Sequence, residues 1–102
     1  MPSYQQMIQT MQKMQREYQR EQSKLDETEF TNTANGVVTV TMKGDLTILS
    51  LEFLDKEILN KDDAEMVSEM VILAYNGCKE KIDKANEALA SKYQQSMGGG
   101  MF

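Results

Sequence analysis

Thr33-Ala34-Asn35-Gly36-Val37-Val38-Thr39-Val40-Thr41-Met42-Lys43-Gly44-Asp45 is the stretch that decides the fold. Asn35-Gly36 is the strongest short hairpin signal a sequence can carry, because both residues tolerate the positive φ that a tight turn between twisted strands demands. After it, Val38, Val40 and Met42 alternate with Val37, Thr39 and Thr41, so one strand face is apolar and the other largely hydroxylated. Lys43-Gly44-Asp45 ends that strand with a second turn. Upstream, the Thr-rich segment around Phe30 reads as a first strand; downstream, Leu49, Leu51 and Phe53 alternate with Ser50 and Glu52 in a third. Strands are therefore expected at about 28–34, 37–42 and 46–53. A three-strand antiparallel meander with one apolar face is only marginally stable alone, so a helix must cover it.

Helical patterns flank the meander on both sides. Before it, residues 3–25 contain neither Gly nor Pro, with Ser3 as a plausible N-cap. Tyr4, Met7, Met11, Met14, Tyr18, Glu21 and Leu25 recur at steps of three and four, a heptad-like seam whose single polar interruption is Glu21. Lys13, Arg16, Arg20 and Lys24 fall within ~80° on nearly the opposite side of the same helix, at 100° per residue. After the meander, Leu54–Asn60 reads as a short turn carrying Ile58 and Leu59. A second long helix is expected over about 62–95, with Asp62 and Asp63 at its positive end. Its apolar face, Val67, Met70, Val71, Ala74, Cys78, Ile82, Ala85 and Leu89, is expected to cover the sheet. Gly77 within it suggests close approach of another backbone. The whole is a single domain over residues 1–96, followed by a flexible Gly-rich tail at 97–102.

Composition excludes most chemistry. The 102 residues hold no His, one Cys and one Pro. The commonest general base and metal ligand is therefore absent, and one Cys makes neither an internal disulfide nor a multi-thiolate site. Cys78 reads as a small buried hydrophobe. Met7, Met11 and Met14 suit adaptable packing better than a thioether copper site, and Asp62, Asp63, Glu65 and Glu69 are explained by helix capping rather than a divalent metal. No catalytic residue, metal, cofactor or small-molecule substrate is expected. The longest uncharged apolar run is far shorter than the ~20 residues of a membrane span, so the reading is of a cytoplasmic protein without a membrane partner. So short a chain, 40% apolar, also suggests a homodimer.

Sixteen acids against eleven bases leave a net charge of −5, unevenly distributed. Residues 1–25 carry four bases and two acids, residues 26–69 three bases and eleven acids. Any polyanion must therefore meet the ends of the chain with the acidic middle turned away.

Several segments together resemble the YbaB/EbfC family of bacterial nucleoid-associated proteins. They are the Met/Gln-rich opening Met7–Gln15, the strand and turn Gly36–Gly44, the strand exit Leu51-Glu52-Phe53-Leu54-Asp55, Tyr75-Asn76 in the second helix, and the Gly-rich Met-Phe ending. The resemblance implies an α+β protomer of order α-β-β-β-α, a homodimer whose sheets join, and helical arms that bind duplex DNA in the nucleoid with low sequence specificity. The basic stripe Lys13, Arg16, Arg20 and Lys24 is the candidate DNA contact that the resemblance favours; read without the resemblance, it is more often a solvated helix face. Met7, Met11, Met14, Tyr18 and Leu25 are the candidate dimer or helix-packing seam. The rival reading is a homodimeric protein-interaction module that makes no direct nucleic-acid contact.

Overall fold

The computed structural model describes residues 3–98. Its elements are α1 (Tyr4–Glu27), β1 (Glu29–Ala34), β2 (Val38–Lys43), β3 (Ile48–Phe53), a 3-10 turn at Lys56–Ile58 and α2 (Ala64–Gly98). The strands form an antiparallel sheet in the order β1-β2-β3. This is the expected α+β order, α-β-β-β-α. α2 runs on through Met97 and Gly98, beyond the end expected for it, so those two residues of the expected tail are helical. The rest of that tail, residues 99–102, lies outside the described residues.

Local chemistry accounts for the element ends. Ser3 caps α1: its Oγ accepts the Gln6 amide hydrogen at 3.2 Å, and its own N–H donates to Gln6 Oε1 at 3.0 Å. This reciprocal capping box satisfies two amide donors that would otherwise lack partners. In the first hairpin Asn35 and Gly36 take φ of 49° and 69°, and the Val37 N–H returns to the Ala34 carbonyl at 2.9 Å. Val37 thus belongs to the turn, and β2 starts one residue later than its alternation suggests. The second hairpin differs more. Its positive φ, 74°, falls on Leu46, which the periodicity assigns to the third strand. Gly44, Asp45 and Leu46 form a three-residue loop closed by Lys43 and Thr47, and Asp45 Oδ1 accepts the Thr47 N–H at 2.9 Å. A side chain in the left-handed region costs roughly 1–2 kcal/mol, which the loop's hydrogen bonds offset.

The core lies between β2 and α2. Val38, Val40 and Met42 point at Ala74, Cys78 and Ile82, all six at most 1% exposed. Phe30, Phe53, Met70 and Val71 close the margins. The other sheet face carries Thr31, Thr33, Thr39 and Thr41, whose hydroxyls pair across the strands at 3.3 and 2.8 Å. Gly77 does mark a close approach, but to a side chain. A Cβ there would run into the Asn32 amide, which donates to the Ala74 carbonyl at 3.1 Å.

α2 covers the sheet with only part of its length. Beyond Ile82 its apolar face turns to α1: Ala85 and Leu89 face Leu25 and Thr28 across a shallow cleft. The two helices run antiparallel as an arm that leaves the sheet, and the molecule measures 70 × 23 × 15 Å. At 1.5 Å per residue, α2 alone spans ~52 Å.

The second hairpin fixes the arm at its root. The Gly44 N–H donates to the Thr28 carbonyl at 2.9 Å and the Asp45 N–H to the Asp26 carbonyl at 3.2 Å. Lys43 Nζ pairs with Glu27 at 3.0 Å, which raises the Lys43 pKa. A Cβ on Gly44 would collide with the Leu25 carbonyl, whereas one on Gly36 would meet open space. Urea denaturation should therefore show Gly44→Ala losing roughly 1–3 kcal/mol through overpacking and Gly36→Ala about 1 kcal/mol through its φ alone. Met42→Ala should lose about 2–5 kcal/mol as a core cavity.

Candidate nucleic-acid interface

α1 brings Lys13, Arg16, Arg20 and Lys24 to the outside of the arm, and all four are exposed. None forms an ion pair within 4.0 Å among the described residues. The cations of α2 behave differently. Lys79 pairs with Asp83 at 2.8 Å, Lys84 with Glu80 at 3.2 Å and Lys92 with Glu21 at 2.9 Å, while Lys81 donates to the Thr31 carbonyl at 2.7 Å. From Lys13 to Lys24 the stripe covers ~16 Å of helix axis.

The opposite side of α1 meets α2. Tyr18 stands edge-on to Tyr93, ring centroids 5.2 Å apart, and Gln22 Nε2 donates to Asn86 Oδ1 at 2.9 Å. Glu21, the polar break in the seam, is a clasp: its carboxylate accepts hydrogen bonds from the Tyr93 hydroxyl and from Lys92. The Tyr93 hydrogen bond, reinforced by Lys92, holds the Glu21 carboxyl below its usual pKa. The same contact, together with burial, pushes Tyr93 up to about 12. Of the predicted seam, Met14, Tyr18 and Leu25 are half-buried on the α2 side, whereas Tyr4 (78% exposed), Met7 (52%) and Met11 (54%) are largely uncovered. A groove of about 620 Å³ opens between the helices there, lined by Ile8, Met11, Tyr18, Ala90 and Tyr93 with Gln12, Gln15 and Gln94. Periodicity in α1 alone missed Glu21's role, because its partners lie some seventy residues away.

A second uncovered surface lies at the sheet end. β3 pairs with β2 on one side only, leaving its other edge free among the described residues. Beside it, Ile48, Leu51, Val71, Ile72 and Tyr75 line an apolar groove of about 240 Å³. Ile72 and Leu73 of α2 are more than half exposed, as are Ile48 in β3 and Leu54 just after it. Sequence could have flagged it: adjacent apolar residues Ile72 and Leu73 stand 100° apart, so one helix face cannot bury both together with Ala74.

The fold and this arm define a class, a small α+β protein with a helical arm that exposes unpaired cations. Residues 1–97 match the model of the YbaB/EbfC DNA-binding family, and the chain belongs to that family. It is 37% identical over 100 residues to a nucleoid-associated protein of Enterococcus faecalis, covering 97% of this chain and 95% of that one. A nucleoid-associated protein of Agathobacter rectalis is 35% identical over 92 residues, 89% and 80% of the two chains. An uncharacterized protein of Helicobacter pylori, seen by crystallography, shares the fold: TM-score 0.74 at 20% identity, covering 90% of this chain and 97% of that one.

The Glu21 clasp gives a pH dependence of defined sign. A depressed carboxyl pKa contributes stability that is present above its unfolded value of ~4.3 and is lost as pH falls through the lower folded value. The raised Tyr93 pKa acts oppositely: its contribution is present below the ordinary ~10 and is lost as pH rises through about 12. The protection of the amides of residues 11–22 and 86–94, taken relative to the intrinsic exchange rate at each pH, should therefore be greatest between these limits and fall as the pH drops through the lowered Glu21 value. Tyr93→Phe should remove most of that dependence while leaving exchange in β2 unchanged.

Proposed function

We propose that the protein binds duplex DNA, as a homodimer, through the phosphate backbone and with little sequence preference, and so acts in the nucleoid by binding rather than by catalysis. The observation that carries this reading is the contrast within one arm: among the described residues the α1 cations are exposed and form no ion pair, while each α2 lysine is engaged by a carboxylate or carbonyl. Family membership and the names of the relatives support it. Duplex phosphates recur every ~1.7 Å of axis, so a rigid row of bases meets several of them without reading any base.

Part of the net negative charge lies far from the stripe. The acids Asp62, Asp63, Glu65 and Glu69 stand at the start of α2. Lys24 lies level with Ala85 across the arm, about 30 Å along α2 from Asp63 at 1.5 Å per residue. That is several times the ~8 Å Debye length at physiological salt, so these four acids are screened from the bases, whereas Asp26 and Glu27 share the last turns of α1 with Lys24.

Dimerisation is supported by the free β3 edge and the apolar surface beside it, which a second copy would cover. A dimer doubles the stripe to eight cations. The interaction-module alternative uses the same surface without DNA, and salt titration separates the two.

Fluorescence anisotropy with random duplex should give an affinity that falls with roughly the fourth to seventh power of salt concentration. Arg16→Ala with Arg20→Ala should weaken binding at least tenfold, ~1.4 kcal/mol or more, and flatten the slope. Light scattering should give a dimer mass for both proteins. Absence of binding in dilute buffer would favour the interaction module, and a monomer mass would reject the dimer.

A further inference from the structure

One acid stands in line with the basic stripe. At 100° per residue Lys13, Arg16, Arg20 and Lys24 span ~80° of α1, and of its acids Glu17, Glu21, Asp26 and Glu27 only Glu27 falls inside that arc. It lies three residues past Lys24, ~4.5 Å along the axis. Its side chain is 72% exposed. A bare carboxylate there would face the same phosphates as the bases and oppose them.

Glu27 is not bare. Lys43 Nζ, from the end of β2, stands 3.0 Å from Glu27 Oε2 and 3.9 Å from Asp45 Oδ2. Lys43 follows Thr39 and Thr41 on the sheet face turned away from α2, as the stripe on α1 is turned away from it. Backbone contacts place it there without help from its charge: the Gly44 N–H on the Thr28 carbonyl and the Asp45 N–H on the Asp26 carbonyl hold the hairpin against the end of α1. The hydrogen bond to Glu27 raises the Lys43 pKa, so its ammonium stays charged. The Lys43 side chain is only 23% exposed and offers little surface to a phosphate of its own.

We propose that Lys43 serves the DNA interface by masking Glu27, so that the row of α1 cations continues to the root of the arm without a repulsive end. Lys43 acts through Glu27 rather than on phosphate, and the docking of the β2–β3 hairpin is what supplies it. The inference rests on the DNA-binding reading and adds to it a residue from the sheet.

The test is a charge cycle in the full chain, read by fluorescence anisotropy on random duplex at about 50 mM salt. Lys43→Gln uncovers Glu27 and should weaken binding about fivefold. Glu27→Gln breaks the same ion pair yet should strengthen binding about twofold. Combining the two should return the affinity to within about twofold of wild type. Lys61→Gln makes the same change in net charge as Lys43→Gln, but beside Asp62 and Asp63, and should shift the affinity by less than about twofold. Circular dichroism should show equal helix content in all of these proteins. If both single variants weakened binding alike, the pair would be structural and the masking overturned. A combined variant as weak as Lys43→Gln would mean that Lys43 meets phosphate itself, and equal affinities throughout would mean that Glu27 lies off the duplex; either result overturns the inference while the DNA-binding reading stands. Absence of binding by wild type would overturn that reading and this inference with it.

Discussion

Burial of Ala74, Cys78 and Ile82 of α2 against Val38, Val40 and Met42 of β2 is the contact on which the rest of the molecule depends. The helix is 35 residues long, and this contact uses only its first half. Because an α-helix is stiff, anchoring one half sets the direction of the other, and the second half of α2 becomes the inner rod of the arm. The small residues at the contact matter for the same reason. Ala74, Gly77 and Cys78 let the helix sit close on the sheet, and Asn32 reaches over Gly77 to the Ala74 carbonyl. A larger side chain at Gly77 would lift the whole helix and swing the arm with it.

α1 is held to that rod at two levels with different chemistry. At the root, amide hydrogens of Gly44 and Asp45 meet the carbonyls of Thr28 and Asp26, backbone to backbone, where no side chain can be accommodated at Gly44. Further out, Glu21 joins Tyr93 and Lys92 by side chains alone. Beyond Tyr18 the covering thins, and the seam passes from half-buried to exposed. Order along the arm is thus graded, firm where it leaves the sheet and looser at the tip, as buried contacts become fewer.

This geometry resolves a conflict that composition alone poses. A chain with excess acid should repel polyanions, yet its cations stand in one row on a rod directed away from the acidic turn region. Distance and screening do the separating. The acids near the arm are engaged by α2's own lysines and by Tyr93, and among the described residues no carboxylate lies within ion-pair distance of the α1 bases. Charge placement, rather than charge total, is what bears on the choice of partner.

Periodicity and turn chemistry by themselves determined the element order, the Asn35-Gly36 hairpin, the apolar face of β2, the Ser3 cap and the face of α2 that turns inward. Each of these is local: a residue's neighbours within four positions decide it, so one dimension suffices. They also placed the four α1 bases on one side of a helix. Local patterning failed where two distant segments meet. Leu46 takes the positive φ in a loop whose neighbouring Gly44 is held against Leu25, α2 divides its apolar face between the sheet and α1, and Glu21 turns from a flaw in a heptad into a clasp. Only the tertiary structure decided those, because the energy of a close approach or a cross-helix hydrogen bond depends on which surfaces the fold brings together, and that is a property of no single stretch of chain.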